Sequence, residues 1–290
     1  MPSYFISIII PTYNRCELLG QTLLSICKQR ISKAQFEILI IDDGSSDSTS
    51  EIVKSYKSRL DIKYFFQEDK GYRVASARNL GIKNAKGDII IFIDSGMILS
   101  DNCIKAHIDA HGNHFNKVVI GYMMGLGLSG NKRDRDLLIE TVNAMDASAA
   151  ISYLISQQKC LDKRECVFDI CNSNINNLPA PWVLFWTGNA SVKKEGLIAA
   201  GAFDTNFDFR WGIEDVELGY RLFKNNHIFE LSRSASAIHI PHSGDKQKKL
   251  QEEHFNKLYF HEKHNSIETK SLLACDTVSL NLLLHTNQNN

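Results

Sequence analysis

Four apolar runs, each the length of one β-strand and each followed by polar residues, constrain this chain more than any other feature. They are Phe5–Ile10, Phe36–Ile41, Ile62–Phe66 and Asp88–Ile93. A strand covered on both faces shows no in–out alternation, so such runs predict a parallel sheet with helices packed on either side. The segments between them have helical spacing. Glu17–Gln29 carries Leu18, Leu19, Thr22, Leu23 and Ile26, Asp47 stands as N-cap before Ser50–Tyr56, and Val74–Asn84 follows the third run. The expected fold class is therefore α/β, with a mostly parallel central sheet. Right-handed crossovers then place the C-terminal strand ends on one edge, where ligands of such sheets bind.

The residues on that edge are the polar ones. Pro11-Thr12-Tyr13-Asn14-Arg15 follows the first run, Asp42-Asp43-Gly44-Ser45 the second, Gln67-Glu68-Asp69 the third and Asp94-Ser95-Gly96 the fourth. The second half is less regular. Arg133–Gln158 reads as helix, Lys159–Pro181 as an Asn-rich loop and Trp182–Trp186 as an apolar segment. Ile213–Lys224 and Lys246–His264 read as helices. With no repeat and no linker, 1–290 reads as a single domain. A nucleotide half covers 1–115, an acceptor, metal and catalytic half 116–265, and a tail 266–290.

Bulk properties exclude several functions. Lys+Arg and Asp+Glu both total 33, so no global field draws in nucleic acid. The first ten residues lack the basic start and cleavage site of a signal peptide. The most apolar long region, Leu137–Ile155, is broken by Glu140, Asn143 and Asp146, so no bilayer span is expected. Seven cysteines without a Cys-x-x-Cys pair point to reduced thiols and a cytoplasmic location, with a bridge among Cys160, Cys166 and Cys171 as the alternative. Lys246, Lys248, Lys249 and Lys257 allow peripheral contact with a membrane surface, although Glu252 and Glu253 dilute that charge.

Asp42, Asp43 and Asp94 share one sheet edge. Each alone is as compatible with a turn or cap as with a ligand. Together they suit a nucleotide site, where one carboxylate accepts a base N–H and another holds a hard divalent cation, Mn2+ or Mg2+, against a diphosphate. His107, His111 and His114 have near-helical spacing and read as a solvated face.

Pro11-Thr12-Tyr13-Asn14-Arg15, Ile41-Asp42-Asp43-Gly44-Ser45-Ser46-Asp47-Ser48-Thr49, Ala77-Arg78-Asn79-Leu80-Gly81 and Phe92-Ile93-Asp94 together resemble family 2 glycosyltransferases of the GT-A fold. The resemblance runs from residue 5 to about residue 110. It implies a nucleotide-sugar co-substrate bound by Pro11, Tyr13, Arg15, Asp43, Arg78, Asp94 and Ser95. Tyr13 would stack on the base, usually uracil, Asp43 would hydrogen-bond it, and Arg78 would lie near the nucleotide. The family pattern has Asp-x-Asp at the fourth strand end. Gly96 replaces the second carboxylate here, so metal binding is lost or its ligands come from elsewhere.

The segment Phe209-Arg210-Trp211-Gly212-Ile213-Glu214-Asp215 resembles the Trp-Gly-x-Glu-Asp stretch of β-1,4-galactosyltransferases and polypeptide N-acetylgalactosaminyltransferases. Ile238-His239-Ile240-Pro241-His242-Ser243-Gly244-Asp245 follows at a similar distance. That likeness implies Asp94, His239 and His242 as metal ligands, a donor set suited to Mn2+. It implies Asp215 as the base that takes the acceptor's proton and Glu214 as an acceptor contact; both also suit a helix N-terminus. Trp211 is either a wall against a sugar face or packing. Gly188 and Asn189, in Thr187-Gly188-Asn189, match a Gly-Asn segment of the same families, which implies close ligand approach and contact with donor hydroxyls; a turn is the alternative.

The expected activity is an inverting transfer of a hexose-type sugar from a UDP-sugar. The acceptor, whether glycan, lipid-linked sugar, peptide or small molecule, is not encoded visibly. The alternatives are a degenerate nucleotide-sugar-binding module and a sugar nucleotidyltransferase. The latter lacks its glycine-rich loop in Pro11–Arg15.

Overall fold

A computed structural model describes residues 4–128, 131–242 and 244–288. Ser243, within the 238–245 segment quoted above, lies outside the described residues, as do the ends of the 1–290 domain.

The four apolar runs form β1 (Ile6–Thr12), β2 (Phe36–Asp42), β3 (Ile62–Phe66) and β4 (Ile89–Ile93). They pair in parallel in the order β3-β2-β1-β4. Successive side chains alternate between two cores. Ile9, Leu39, Ile90 and Phe92 enter one, while Ile8, Ile10, Ile38, Ile40, Ile89 and Ile91 enter the other. Helices α1 (Cys16–Cys27), α2 (Thr49–Tyr56) and α3 (Val74–Asn84) lie where their spacing predicts. Asp47 accepts from Thr49 N at 3.1 Å at the head of α2, and also from Cys16 N at 2.9 Å at the head of α1.

The rest of the sheet corrects the mostly parallel expectation. After β5 (Met97–Leu99) and α4 (Cys103–His111) come β6 (Lys117–Met124), and later β7 (Asn189–Lys193) and β8 (Ile228–His239). Strand β7 runs antiparallel to both β4 and β6, β8 is parallel to β6, and β5 is antiparallel to β8. The eight-stranded sheet is mixed. At Gly121 the β6–β8 register shifts, and a Cβ there would stand 2.3 Å from Asn189 Nδ2. Only glycine fits this bulge.

The expected helix 133–158 is two helices, α5 (Lys132–Ala144) and α6 (Ala147–Ser156), broken where Asp146 caps Ala149 N at 2.9 Å. The expected loop 159–181 contains α7 (Glu165–Ile170) and a single-turn helix at Ile175–Asn177. This loop is pinned by an ion pair that is fully buried. Arg164 meets Asp162 at 2.6 Å, donates to the carbonyls of Leu184 and Gly121 at 2.8 Å each, and stacks 4.8 Å from the Trp186 ring. The seven cysteines are free, including Cys160, Cys166 and Cys171.

After α8 (Lys194–Ala199), helices α9 (Glu214–Lys224) and α10 (Lys246–His264) close the second half around Trp182, Tyr220 and Phe260. The predicted tail is part of the fold. Helices α11 (Ile267–Leu272) and α12 (Thr277–Gln288) bury Leu272 and Leu280, and Asn281 exchanges two hydrogen bonds with Ala180.

Glu217 of α9 is fully buried and accepts from Arg221 at 2.7 Å, Lys263 at 2.8 Å and His264 at 2.8 Å. Burial opposes its ionisation, but the hydrogen bonds from His264 and Arg221 outweigh it and hold Glu217 at about 2. A depressed carboxylate contributes stability above its ordinary value of 4.5 that is lost as pH falls toward 2. We therefore expect Glu217→Gln to destabilise the fold by about 2 kcal/mol near neutrality. The deficit should shrink in urea titrations at about pH 3; an equal deficit at both pH values would remove this ion cluster from the acid response.

Candidate active site

The mixed sheet brings both halves of the chain to one edge. Because β7 is antiparallel to β4, its start faces the C-terminal end of β4: Asn189 pairs with Ile93. Residues 186–188 thereby adjoin Asp94, and a Cβ on Gly188 would lie 3.5 Å from Asp94 Oδ2. Because β8 runs with β6, its end reaches the same edge. His239 pairs with Met97, and Ile240 N donates to Gly96 O at 2.9 Å.

Arg78 is the hub. It is buried on α3 and bonds Asp94 Oδ1 at 3.1 Å and Glu214 Oε1 at 2.7 Å. Its guanidinium is spent on these two carboxylates. Glu214 Oε2 is buried without a partner, an acceptor left over for a ligand.

Asp215 opens α9 beside Glu214. Thr187 N donates to its Oδ2 at 3.1 Å and Val216 N to its Oδ1 at 2.8 Å. Burial, with the neighbouring charge of Glu214, pushes Asp215 up to about 7 against the opposing pull of Arg78. A carboxylate poised there suits proton transfer near neutrality. Ile213, the residue before the pair, is β-branched yet has φ 76°. Such a backbone costs roughly 1–3 kcal/mol and is typical of functional sites. Asp208, far along the chain from α3, caps that helix by accepting from Ala75 N at 3.1 Å and Ser76 N at 3.3 Å.

His239 and His242 face each other with ring centres 5.2 Å apart. Burial and the neighbouring His242 lower His239 to about 4, while Asp94 pulls the other way. His239 Nδ1 is buried without a partner. The charge of Asp94 acts on both rings. Among the described residues, however, no three His, Cys, Asp or Glu side chains stand close enough to hold a metal. The trio is not a closed cage.

Past the end of β1, Tyr13 is 46 % exposed, and its hydroxyl donates to Asp69 at 2.9 Å. Asp43 accepts from Gln67 Nε2 at 2.6 Å, Arg73 Nη2 at 2.7 Å and Arg73 N at 2.9 Å, which leaves little acceptor capacity for a base. Asp42 is buried and holds its turn through Ser45 N at 2.7 Å and Tyr64 at 2.5 Å. Arg15, half-buried, stands near His242. Trp211 is half-buried under Lys249, whose Nζ lies 5.1 Å above the indole.

Three expectations are corrected. Ser95 is buried and donates its hydroxyl to Pro11 O at 3.0 Å, so both residues brace β1 against β4 rather than facing a ligand. Asn189 is fully buried. Its side chain is committed to His107 at 2.9 Å and Ala235 O at 2.8 Å rather than offered to the cleft. His107 and His111 are not a solvated face: both are fully buried on Ser191 Oγ at 2.9 Å, and only His114 is exposed. The sequence reading missed Tyr72 and Arg73. The aromatic and basic pair before α3 was the available clue. Tyr72 as a residue is 40 % exposed, but its phenol end is enclosed, and that burial with the charge of Glu214 raises it well above its ordinary value.

An α/β sheet whose ligand edge gathers Arg78, Asp94, Glu214 and Asp215 from both chain halves is the architecture of a GT-A glycosyltransferase domain. The chain belongs to glycosyl transferase family 2, whose pattern matches residues 7–164. It is 37 % identical over 238 residues to validoxylamine A glucosyltransferase of Streptomyces hygroscopicus subsp. jinggangensis, covering 82 % of this chain and 56 % of that one. It is 31 % identical over 238 residues to chondroitin synthase of Escherichia coli, covering 81 % and 34 %. The chain thus spans about half or less of these relatives' length. In fold it resembles a mannosyltransferase of Pyrobaculum calidifontis solved with GDP-Man and Mn2+ (TM-score 0.64, 14 % identity, 98 % and 75 % covered). It also resembles S. aureus TarS 1-349 with UDP-GlcNAc (TM-score 0.63, 18 % identity, 89 % and 66 % covered). The family match ends at residue 164, and the expected likeness of 209–245 to β-1,4-galactosyltransferases and polypeptide N-acetylgalactosaminyltransferases is not shown. Among the described residues no helix is long and apolar enough to cross a membrane.

Proposed function

We propose that the chain is an inverting glycosyltransferase that moves a hexose-type sugar from a UDP-sugar to an acceptor hydroxyl. The observation that carries this is Asp215, a carboxylate raised toward neutrality at the head of α9, opposite the Arg78–Asp94 pair at the end of β4. Single displacement needs one base and an acceptor held in line. Asp215 takes the acceptor's proton as the acceptor oxygen bonds the anomeric carbon, and the nucleoside diphosphate leaves on the opposite face. Glu214 keeps one oxygen on Arg78 and offers the other to the acceptor. Tyr13 stacks on the base, and Trp211 walls the cleft. The relatives named as glucosyltransferase and chondroitin synthase, and neighbours solved with UDP-GlcNAc or GDP-Man, support a nucleotide-sugar donor.

Asp94, His239 and His242 form no closed cage, so Mn2+ or Mg2+ held beside them would draw most of its shell from diphosphate oxygens. The orphan Nδ1 of His239 fits that role. The cation would offset charge growing on the departing diphosphate.

Incubating the protein with a panel of UDP- and GDP-sugars and candidate acceptors tests this reading. We expect nucleoside diphosphate release from UDP-sugars, stimulated by Mn2+, with an inverted anomeric centre in the product. Release of pyrophosphate instead, or no turnover of any donor, would overturn it.

A further inference from the structure

Helix α3 has no cap of its own: Arg73, the residue before it, offers no side-chain hydrogen bond to its first turn. The free amides there are satisfied from the other half of the chain. Asp208 Oδ1 accepts from Ala75 N at 3.1 Å and Ser76 N at 3.3 Å, and Oδ2 accepts from the Ser76 hydroxyl. The same segment grips α3 further along. Asn79 Nδ2 donates to Phe203 O at 2.8 Å, and Phe203 N donates to Asn79 Oδ1 at 2.9 Å. The Phe203 ring lies 5.5 Å from the guanidinium carbon of Arg78 and meets Phe92 of β4 edge-on, with ring centres 5.5 Å apart. Residues 203–208 thus form a saddle across the helix that carries Arg78.

Only residues 209–213 separate Asp208 from Glu214. That bridge is strained: Phe209 has φ 71° and Ile213 φ 76°, both left-handed. Such backbone persists only where its surroundings over-determine it. At one end Asp208 sits on α3, and Phe209 N donates to Tyr72 O at 2.5 Å. At the other, Trp211 N donates to Glu252 at 3.0 Å and Asn256 Nδ2 to Gly212 O at 2.7 Å. The saddle therefore locates both partners of one contact. It seats α3, which carries Arg78, and it anchors the bridge that delivers Glu214 to Arg78 at 2.7 Å.

We propose that Asp208 is a positioning residue for the transfer reaction, tying the bridge to α3 so that Glu214 and Asp215 enter the cleft in one fixed arrangement. The inference rests on the reading of Asp215 as the base. Asp208 is buried and both its oxygens are engaged within the fold, so it acts on turnover through the two acids that follow the bridge. Releasing it frees the strained backbone to relax, and the acids move off Arg78.

The test compares the parent with Asp208→Ala and Asp208→Asn. Three quantities are measured: hydrogen exchange by mass spectrometry, affinity for UDP and GDP with Mn2+, and turnover of a panel of UDP- and GDP-sugars. In Asp208→Ala, peptides spanning 209–217 should exchange faster while β1 and β2 keep the parent's protection. Its kcat should fall about 10- to 100-fold with nucleotide affinity unchanged. Asp208→Asn should restore both exchange and kcat, because a single oxygen already serves Ala75 N and Ser76 N. If Asp208→Ala does not fold, Asp208→Ser takes its place, one atom shorter than Asn in reach. Unchanged exchange over 209–217 overturns the saddle. Faster exchange with unchanged kcat, nucleotide affinity lost in step with kcat, or equal loss in the Asn variant overturns the positioning role, and each leaves the transferase reading intact. A parent that turns over no sugar nucleotide overturns that reading instead, and exchange alone then decides whether Asp208 holds the bridge.

Discussion

Replacing Asp215 with Asn lowers turnover by about 10²- to 10⁴-fold while nucleoside diphosphate affinity stays near that of the unsubstituted protein. Asn keeps the size of Asp, and its one amide oxygen can still accept from Thr187 N or Val216 N, which meet different oxygens of Asp215, so one of the two bonds that hold the head of α9 is kept. It cannot take a proton. The pH profile supplies the independent check. A base must be ionised to act, and burial with the charge of Glu214 holds Asp215 above its ordinary 3.8, so turnover should rise with pH across that raised range and then level. Linkage runs the opposite way. A carboxylate whose folded value lies above its ordinary 3.8 contributes stability at low pH that is lost as pH rises toward 7. Asp215→Asn escapes that loss, so its melting temperature falls less than the parent's as pH rises toward 7. Unchanged turnover in Asp215→Asn would remove the residue from the chemistry.

Truncating Arg164 to Ala is expected to cost about 3–5 kcal/mol, a large share of the stability of a domain of this kind. Asp162 would be stranded as a buried charge, the Leu184 and Gly121 carbonyls would lose their donor, and the Trp186 ring would lose its stacking partner. The effect reaches the cleft, because Thr187, next to Trp186, donates to Asp215. Urea unfolding measures the loss. Arg164→Met combined with Asp162→Asn should recover part of it, since the unpaired charge is gone. A shift below about 1 kcal/mol for Arg164→Ala would show that the pair does not anchor the 159–188 segment.

The nucleotide half was legible because its determinants are local. Ile8 to Ile10 and Ile89 to Ile93 declare doubly buried strands by composition, and Tyr13, Asp43 and Asp94 follow directly as strand-end residues. The second half was not, because its partners are distant. His107 reads as surface from its own helix, and only Ser191 and Asn189, on a strand more than eighty residues later, make it a core residue. The same reason hid the reversed strand. Asn189–Lys193 is too short and polar to announce itself, and its direction is set by Ile93 and Val118 on either side. Arg78 was found, but its burial was not, since Glu214 covers it from 136 residues away.

That reversed strand also dictates when the molecule can become whole as it is made. Strands β1 to β4 can assemble once about ninety residues have emerged, but β6 has no neighbour on the β4 side until residues 189–193 arrive to fill the gap. A ribosome stalled just past residue 164 would hold the four-stranded β3-β2-β1-β4 fragment with the edge of β4 raw, and β6 without either of its neighbours, both open to strands from other chains. Chaperone dependence should accordingly peak in that interval and fall once β7 and then β8 take their places.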